Sequence, residues 1–270
     1  MKIKKLDHLS SIFQEYDAFI IDLWGVMHNG VSLNNSAVKA VSELQSNGKR
    51  IVFLSNAPRP TKKVVEFLKK MKMEDRFLKN VFTSGEAAIN SLKKNKFGLK
   101  FYHLGPKRDE SLFSDIKINK TTLDKCDFIL CTGLFDEESE NLQFYNDLLK
   151  NFTKKKLVCT NPDLIVHRGG EEEYCAGKIA EIFESLGGKV VYFGKPHKEV
   201  YISCLKSDQK TLVIGDNLKT DIKGANNMNL DSIFITSGVH KSKTIDEKFM
   251  DKLLTEHNVT AKYFQKELTW

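Results

Sequence analysis

Short apolar runs alternate with amphipathic segments along most of the chain. Residues 18–22 and 50–54 are apolar runs, and amphipathic stretches follow them at 36–47 and 61–71. A buried parallel strand appears as a nearly continuous apolar run, whereas a surface helix repeats its apolar residues every three or four positions. The alternation therefore predicts strands and helices in turn, and with them a mostly parallel sheet that carries helices on its faces.

The middle of the chain repeats this alternation by itself. Three further apolar runs are separated by helical patterns such as residues 141–150, and they lie at 100–104, 128–132 and 156–160. The first kind of strand then returns at 190–193, 212–214 and 232–235. We expect an α/β fold with a Rossmann-like, doubly wound sheet formed by residues 1–81 and 187–270. Residues 82–186 are expected to form an inserted α/β domain.

Composition narrows the class of protein. The 270 residues carry 42 Lys and Arg against 35 Asp and Glu, and the lysine runs, such as 154–156, are not interleaved with aromatic residues. We therefore expect no nucleic-acid binding, and only mild steering of anionic substrates. No apolar run is long enough to span a bilayer, and the polar start predicts no secretory signal. Five cysteines without metal-type spacing predict reduced thiols in a cytoplasmic protein.

Polar clusters follow four of the predicted strands of the first module. They are Asp22, Ser55 with Asn56, Lys195 with Pro196, and the segment 215–221. Each cluster alone is typical of a turn or a solvated loop. The carboxyl ends of parallel strands meet at one edge of a sheet, however, and open α/β folds place their ligands there. The four clusters are therefore expected to form one site.

Together these residues have the chemistry of phosphoryl transfer. Asp22 is expected to attack phosphorus as a nucleophile, and Lys195 to neutralise the charge that this attack brings together. Asp22 and Asp216 offer hard oxygen ligands for Mg²⁺, and Asp221 would bind through a water or hold the metal's surroundings. The remaining contacts to the phosphoryl oxygens are expected from the Ser55 hydroxyl and from backbone amides near Gly25 and Asn56.

The order and spacing of five motifs resemble the haloacid dehalogenase-like hydrolases. The motifs are Asp22-Leu23-Trp24-Gly25-Val26, Phe53-Leu54-Ser55-Asn56, Thr160-Asn161-Pro162-Asp163, Gly194-Lys195-Pro196-His197, and Gly215-Asp216 with Thr220-Asp221-Ile222. More narrowly, the chain is similar to the subclass with a large α/β cap, the type-2 cap, inserted between the second and third motifs. That subclass includes nitrophenylphosphatases, pyridoxal phosphatases, and sugar-phosphate or nucleotide phosphatases.

The resemblance implies a role for each matching residue. Asp22 matches the aspartyl nucleophile, Ser55 the phosphoryl-binding hydroxyl and Lys195 the stabilising lysine, while Asp216 and Asp221 match the acidic metal pair. Asn161 and Asp163 match a cap loop that faces the active site. The implied cofactor is Mg²⁺ and the implied substrate a small phosphorylated metabolite. A monomer or a homodimer is expected, with no membrane partner.

The chain departs from the family at Trp24. Family phosphatases carry a second aspartate there, which protonates the leaving group and then activates water. An indole N–H has no acidic proton near neutral pH, although the backbone carbonyl of Trp24 can still bind Mg²⁺. Losing a general acid and base typically lowers the rate by about 10²–10⁴.

Three interpretations of this departure stay open. In the first, another group carries the proton, with His28 the main candidate and His197 a weaker one. In the second, the enzyme accepts only good leaving groups, such as aryl or acyl phosphates, and its phospho-aspartate accumulates. In the third, the chain is a phosphometabolite-binding or regulatory protein with vestigial catalysis.

Smaller features complete the expectations. Arg59 follows the second motif and could reach an anionic substrate, and Tyr102, His103 and Arg168 are candidates to line the cap side. The aromatic-rich end, residues 263–270, is expected to pack on the core as an ordered tail.

Overall fold

The protein is described by a computed structural model that covers residues 2–168, 171–239 and 246–270. In these residues the strands, numbered along the chain, are β1 (Lys4–Lys5), β2 (Ala18–Ile21), β3 (Arg50–Ser55), β4 (Val81–Thr83), β5 (Phe101–Leu104), β6 (Phe128–Cys131), β7 (Lys156–Cys159), β8 (Ile165–Arg168), β9 (Glu171–Tyr174), β10 (Lys189–Tyr192), β11 (Thr211–Gly215), β12 (Asp231–Ile235) and β13 (Tyr263–Gln265). The helices are α1 (Asn35–Ser46), α2 (Thr61–Lys70), α3 (Ser84–Leu92), α4 (Leu142–Leu149), α5 (Ala176–Ser185), α6 (Lys198–Ile202), α7 (Lys223–Asn227) and α8 (Glu247–Glu256).

The larger sheet has seven parallel strands in the order β1-β13-β12-β11-β2-β3-β4. From β2 the chain moves outward to β3 and β4, and it later returns to β11 on the other side of β2 before moving outward again. The strand order therefore reverses between β2 and β11. A crevice opens at the carboxyl ends of two strands related in this way, and such crevices hold the ligands of open α/β sheets.

Both faces of this sheet are covered, because successive side chains of a strand point to opposite faces. Phe19 and Ile21 of β2 pack in one cluster with Leu44 of α1. Ile20 packs on the other face with Tyr201 of α6. The continuous apolar run of β2 is thus explained by burial on both sides. The predicted α/β, doubly wound architecture is confirmed.

A second sheet has four parallel strands in the order β10-β7-β6-β5. Ile129 of β6 packs against Phe183 of α5, whereas Leu130 packs on the other face against Leu92 of α3. This smaller layered unit, β5–β10 with its helices, is called the cap below. It corresponds to the inserted α/β unit that the sequence predicts.

The sequence pattern predicts the wrong sheet for one strand. Residues 190–193 were expected to return the chain to the larger sheet, but β10 pairs with β7 in the cap. The apolar pattern of a buried strand is the same in either sheet, so it could not show which neighbour β10 takes. The short strand β4 pairs with β3 in the larger sheet. The chain thus changes sheets after Thr83 and again after Tyr192, and the domain bounds at 81/82 and 186/187 stay a prediction.

Two elements lie outside the alternating pattern. β8 and β9 form a two-stranded antiparallel hairpin, called the cap hairpin below, whose turn residues lie outside the described ranges. The end of the chain adds β13 to the larger sheet, and the Trp270 ring lies 4.8 Å from that of Phe13. The prediction of an ordered tail is confirmed.

Two further findings concern the cysteines and the length of the apolar helices. All five cysteines are free and buried. Among the residues that the structure describes, no helix is both long and apolar enough to cross a membrane.

Candidate active site

Asp22 lies directly after β2 and contacts the ammonium group of Lys195. The Lys195 Nζ donates to Asp22 Oδ1 at 2.5 Å and to Asp221 Oδ1 at 2.6 Å. All three side chains are almost completely buried. A buried carboxylate that loses its only nearby cation is left without charge compensation, so each contact holds the other two groups in place. The structure therefore brings together the predicted nucleophile and the predicted stabilising lysine.

Asp22, Asp216 and Asp221 form a cluster with the spacing of metal ligands. One carboxylate oxygen of each residue lies within 4.8 Å of those of the other two. Asp216 follows β11, and Asp221 lies in the π-helical turn Leu218–Ile222 that follows. Such hard oxygen atoms are the ligands that Mg²⁺ and Ca²⁺ prefer. The acidic residues predicted to bind metal thus meet at the switch point of the sheet.

The electrostatics of this cluster favour an added cation. Burial raises the pKa of Asp22 to about 8 despite the opposing effect of Lys195, and burial and the Asp22 charge raise the pKa of Asp216. Four carboxyl groups, those of Asp22, Asp163, Asp216 and Asp221, influence one another here, while Lys195 is the cation that acts on them. A divalent cation in the cluster would stabilise the charged carboxylates.

Two glycines make room for Asp216. A Cβ at Gly25 would lie 2.1 Å from Asp216 Oδ2, and one at Gly238 would lie 1.9 Å from the same oxygen. Gly25 also has a φ of +89°, which other residues rarely adopt. The Val239 amide donates to Asp216 Oδ2 at 2.7 Å and fixes the carboxylate in this gap.

The sequence predicts that backbone amides near Gly25 hold phosphoryl oxygens. The N–H of Gly25 itself donates to the His28 carbonyl at 2.8 Å. This bond closes the turn that follows Asp22, so the amide is already used. Gly25 instead serves the site by its missing side chain.

The Asn56 side chain bonds the backbone of Lys195, a contact that the sequence did not predict. Its Oδ1 accepts from the Lys195 N–H at 2.8 Å, and its Nδ2 donates to the Lys195 carbonyl at 3.1 Å. The side chain of Asn56 therefore holds the backbone of Lys195, which fixes where the ammonium group lies. Ser55 Oγ accepts from the Ala57 amide at 3.2 Å, and the Ser55 side chain lines the cavity above Asp22.

The cap loop after β7 enters the site as expected. Asn161 Oδ1 accepts from the Asp163 N–H at 3.0 Å, which forms a tight turn. Asp163 Oδ1 then accepts from Asn56 Nδ2 at 3.2 Å and from Asn217 Nδ2 at 3.5 Å. Burial raises the pKa of Asp163 to about 6, although Lys195 opposes the shift. Asp163 thus joins the cap to two loops of the larger sheet.

Trp24 and His28 lie together in the loop after Asp22, with their ring centres 5.2 Å apart. The Trp24 Nε1 donates to the His167 carbonyl of the cap hairpin at 3.0 Å. The His28 Nδ1 accepts from the Gly30 amide at 3.1 Å. Burial, helped by the charge of Arg168, lowers the pKa of His28 to about 4. His28 is therefore neutral at physiological pH and has no proton to give as an imidazolium acid.

Arg59 lines the cavity but already has a partner. Its Nε donates to Asp109 Oδ1 at 2.9 Å, and Asp109 is almost fully buried. Arg59 thus links the loop after β3 to the cap, which the sequence did not predict. Of the three residues suggested for the cap side, Arg168 lines the cavity, whereas His103 bonds Thr132 Oγ1 at 2.9 Å.

A cavity of about 1000 Å³ joins these groups. Its lining includes Asp22, Ser55 and Lys195 from the larger-sheet part of the chain, and Phe135, Arg168 and other residues from the cap. Sequence reasoning missed the contributions of Asp109 and the cap hairpin, because neither belongs to a motif, and it assigned no role to Asn217 within the segment 215–221.

Fold and site together define an α/β protein with an acidic cluster and one lysine at the switch point of its sheet, beneath an inserted cap. Residues 19–119 match the model of a haloacid dehalogenase-like hydrolase, and residues 192–258 match a second, HAD-hydrolase-like model. The chain belongs to the haloacid dehalogenase-like hydrolases, so the family and the enzyme class predicted from the motifs are confirmed.

Individual relatives agree over most of the chain. It is 26% identical over 234 residues to the 5′-nucleotidase YutF of Bacillus subtilis (strain 168), covering 84% of this chain and 89% of that protein. It is 23% identical over 246 residues to an acid sugar phosphatase of Staphylococcus haemolyticus (strain JCSC1435), covering 87% and 90%. The crystal structure of a haloacid dehalogenase-like hydrolase from Brucella suis 1330 superposes with a TM-score of 0.86 at 28% identity, covering 98% of this chain and 100% of that one.

Proposed function

We propose that this protein is a Mg²⁺-dependent phosphatase that hydrolyses a small phosphorylated metabolite through an aspartyl-phosphate on Asp22. The observation that carries the proposal is the buried cluster of Asp22, Lys195, Asp216 and Asp221, all of which line the cavity together with cap residues. A protein that only binds a phosphorylated metabolite needs positive charge to complement the phosphate, and three acidic groups around one lysine oppose such binding. A nucleophile with a metal site explains the same cluster.

The first step would form the covalent intermediate. A carboxylate oxygen of Asp22 forms a bond to phosphorus while the bond from phosphorus to the leaving oxygen breaks. Lys195 contacts the attacking carboxylate directly and offsets negative charge as the two anionic groups approach. Water then attacks the phosphorus of the acyl phosphate, which releases inorganic phosphate and restores the Asp22 carboxylate.

The donor set fits magnesium. Asp22, Asp216 and Asp221 would hold it, with the Trp24 backbone carbonyl as a further candidate ligand. When bound, Mg²⁺ supplies the positive charge that the carboxylates and the phosphoryl group require. Gly25 and Gly238 keep the Asp216 carboxylate in position for this role.

Proton transfer to the leaving oxygen is the weak part of the site. The indole N–H of Trp24 donates to the cap, and His28 is neutral near pH 7. We therefore favour the interpretation in which activated leaving groups react well and the phospho-aspartate hydrolyses slowly. An aryl phosphate such as p-nitrophenyl phosphate needs little protonation when its phenolate leaves.

Rapid-mixing kinetics with p-nitrophenyl phosphate and Mg²⁺ test the proposal. We expect a burst of nitrophenolate close to one equivalent per enzyme, followed by a slower linear phase. The Asp22→Asn variant should show neither phase, since an amide does not form the intermediate. Equal turnover by both proteins would exclude Asp22 as nucleophile, and a linear trace from the first turnover would exclude slow dephosphorylation.

The natural substrate is proposed from the class of relatives. The two similar curated proteins are named a 5′-nucleotidase and an acid sugar phosphatase. A cavity of about 1000 Å³ accommodates either kind of molecule. A panel of nucleoside monophosphates and sugar phosphates, assayed for phosphate release with Mg²⁺ and with EDTA, would identify the preferred class.

A further inference from the structure

The Trp24 side chain connects the loop after Asp22 with the cap hairpin. Its Nε1 donates to the His167 carbonyl at 3.0 Å, and the Arg168 guanidinium carbon lies 5.1 Å from the centre of its ring. Arg168 is held over the ring by a forked pair of hydrogen bonds to Glu173, at 2.7 and 3.3 Å. The Trp24 side chain thus contacts two adjacent residues of β8, one by a hydrogen bond and the other by a cation–π interaction.

The loop after Asp22 is built to hold the indole in this place. The His28 ring packs edge-on against Trp24 at 5.2 Å and against Phe67 of α2 at 5.6 Å. A Cβ at Gly30 would lie 2.6 Å from the Trp24 ring, so only glycine leaves space for the indole there. The loop after Asp22 and helix α2 therefore support the Trp24 ring independently of its contacts with the cap.

On the cap side, the cap hairpin is held at its base, where Tyr174 packs against the hydrophobic core of the cap. It pairs with neither of the two larger sheets, and its described residues are exposed or only half-buried. An isolated two-stranded hairpin is at best marginally stable in water. Contacts at its ends therefore have a large influence on where it lies. Its residues also form part of the cavity wall, including Val166, Arg168 and Tyr174.

We propose that Trp24 is a positioning residue that docks the cap hairpin over the active site. In family phosphatases this position carries the aspartate that transfers protons. Here, Trp24 would hold the cap hairpin over the cavity and fix the shape of the cavity in which the leaving group is bound. The kinetic consequence rests on the proposed function, whereas the docking itself does not. Loss of the contacts between Trp24 and the cap hairpin lowers the fraction of enzyme in the substrate-binding conformation. KM then rises by the factor by which this fraction falls.

Amide hydrogen exchange with Mg²⁺ present tests the docking directly. Trp24→Phe keeps a ring for Arg168 and His28 but removes the N–H donor. We expect exchange in residues 165–168 and 171–174 to be roughly five-fold faster, the equilibrium factor of one typical hydrogen bond. Trp270→Phe is the matched control, because the chain has two tryptophans and Trp270 packs against Phe13. It should leave exchange in the hairpin unchanged.

A second variant separates docking from damage to the core. Arg168→Met removes the cation that lies over the Trp24 ring and changes no residue of the loop after Asp22. In a Trp270→Phe background, Trp24 is the sole tryptophan, so its emission should shift to longer wavelength when the hairpin leaves. With p-nitrophenyl phosphate and Mg²⁺, KM should rise several-fold more than kcat falls in Arg168→Met.

The outcomes are distinct for the two proposals. Unchanged hairpin exchange in both Trp24→Phe and Arg168→Met would overturn the docking role. A fall in kcat at constant KM would also count against it, since that result indicates loss of a chemical step. If the unmodified protein does not hydrolyse p-nitrophenyl phosphate with Mg²⁺, the proposed function fails, and hydrogen exchange still decides whether Trp24 docks the hairpin.

Discussion

His28 allows the electrostatics of the loop after Asp22 to be measured without a substrate. The side chain is 4% exposed, and its Nδ1 accepts from the Gly30 amide. His28→Asn places a carbonyl oxygen near the position of Nδ1, so the hydrogen bond can be retained while the titrating group is removed. The substitution therefore tests the cost of protonating a buried imidazole.

The magnitude follows from the shift in pKa. The pKa of His28 falls from an ordinary 6.5 to about 4, because burial and Arg168 disfavour the imidazolium. Between these values the unfolded chain binds more protons than the folded one, so stability rises with pH across this window and is lost as the pH falls toward 4. At about pH 5, protonating the unfolded chain should lower the free energy of unfolding by about 2 kcal/mol relative to pH 7.5.

Urea unfolding at both pH values measures this quantity. The loss of stability on acidification should be about 2 kcal/mol smaller in His28→Asn than in the unmodified protein. Other titrating groups are present in both proteins and cancel in the comparison. His8→Asn is the control for the loss of one imidazole, because His8 is exposed. An identical pH dependence in His28→Asn and the unmodified protein would refute a buried, neutral His28.

Two further predictions concern the acidic cluster. Lys195→Met leaves Asp22 and Asp221 without their shared cation, so we expect a loss of about 3–5 kcal/mol in urea unfolding at neutral pH, partly restored by Mg²⁺. Lys150→Met, which breaks an exposed pair, should cost under about 1 kcal/mol, and an equal cost in both variants would contradict the argument. Gly25→Ala forces a Cβ to within 2.1 Å of Asp216 Oδ2, so Mg²⁺ should raise its melting temperature less than that of the unmodified protein. An equal Mg²⁺-dependent shift would show that the Asp216 carboxylate needs no gap at Gly25.

Much of the fold could be predicted because local patterns carry it. The apolar runs of β2, β3, β11 and β12 are long enough to form strands, and polar residues follow each run. Both features mark buried parallel strands. β10 shows the limit of this reasoning, since its run has the same pattern but pairs with β7 in the cap. Strand pairing depends on which neighbour buries the strand, and a single strand's composition does not contain that information.

The candidate site shows the same division. The motif residues Asp22, Lys195, Asp216 and Asp221 could be predicted to meet, because strand ends share one edge of a sheet. The use made of Gly25 and Asn56 could not, since a missing side chain and a bond to the Lys195 backbone depend on ångström-scale distances.

The sequence by itself determined the family, the layered α/β architecture and the set of acidic groups around Asp22, because these depend on periodicity and on residue type at strand ends. Only the tertiary structure showed which groups the Trp24 side chain contacts. Its replacement of a carboxylate was visible in the chain, but its partners lie more than 140 residues away in a hairpin that no motif marks. Contacts between distant segments depend on how the cap folds back over the core, and they turn an apparent loss of chemistry into a candidate docking contact.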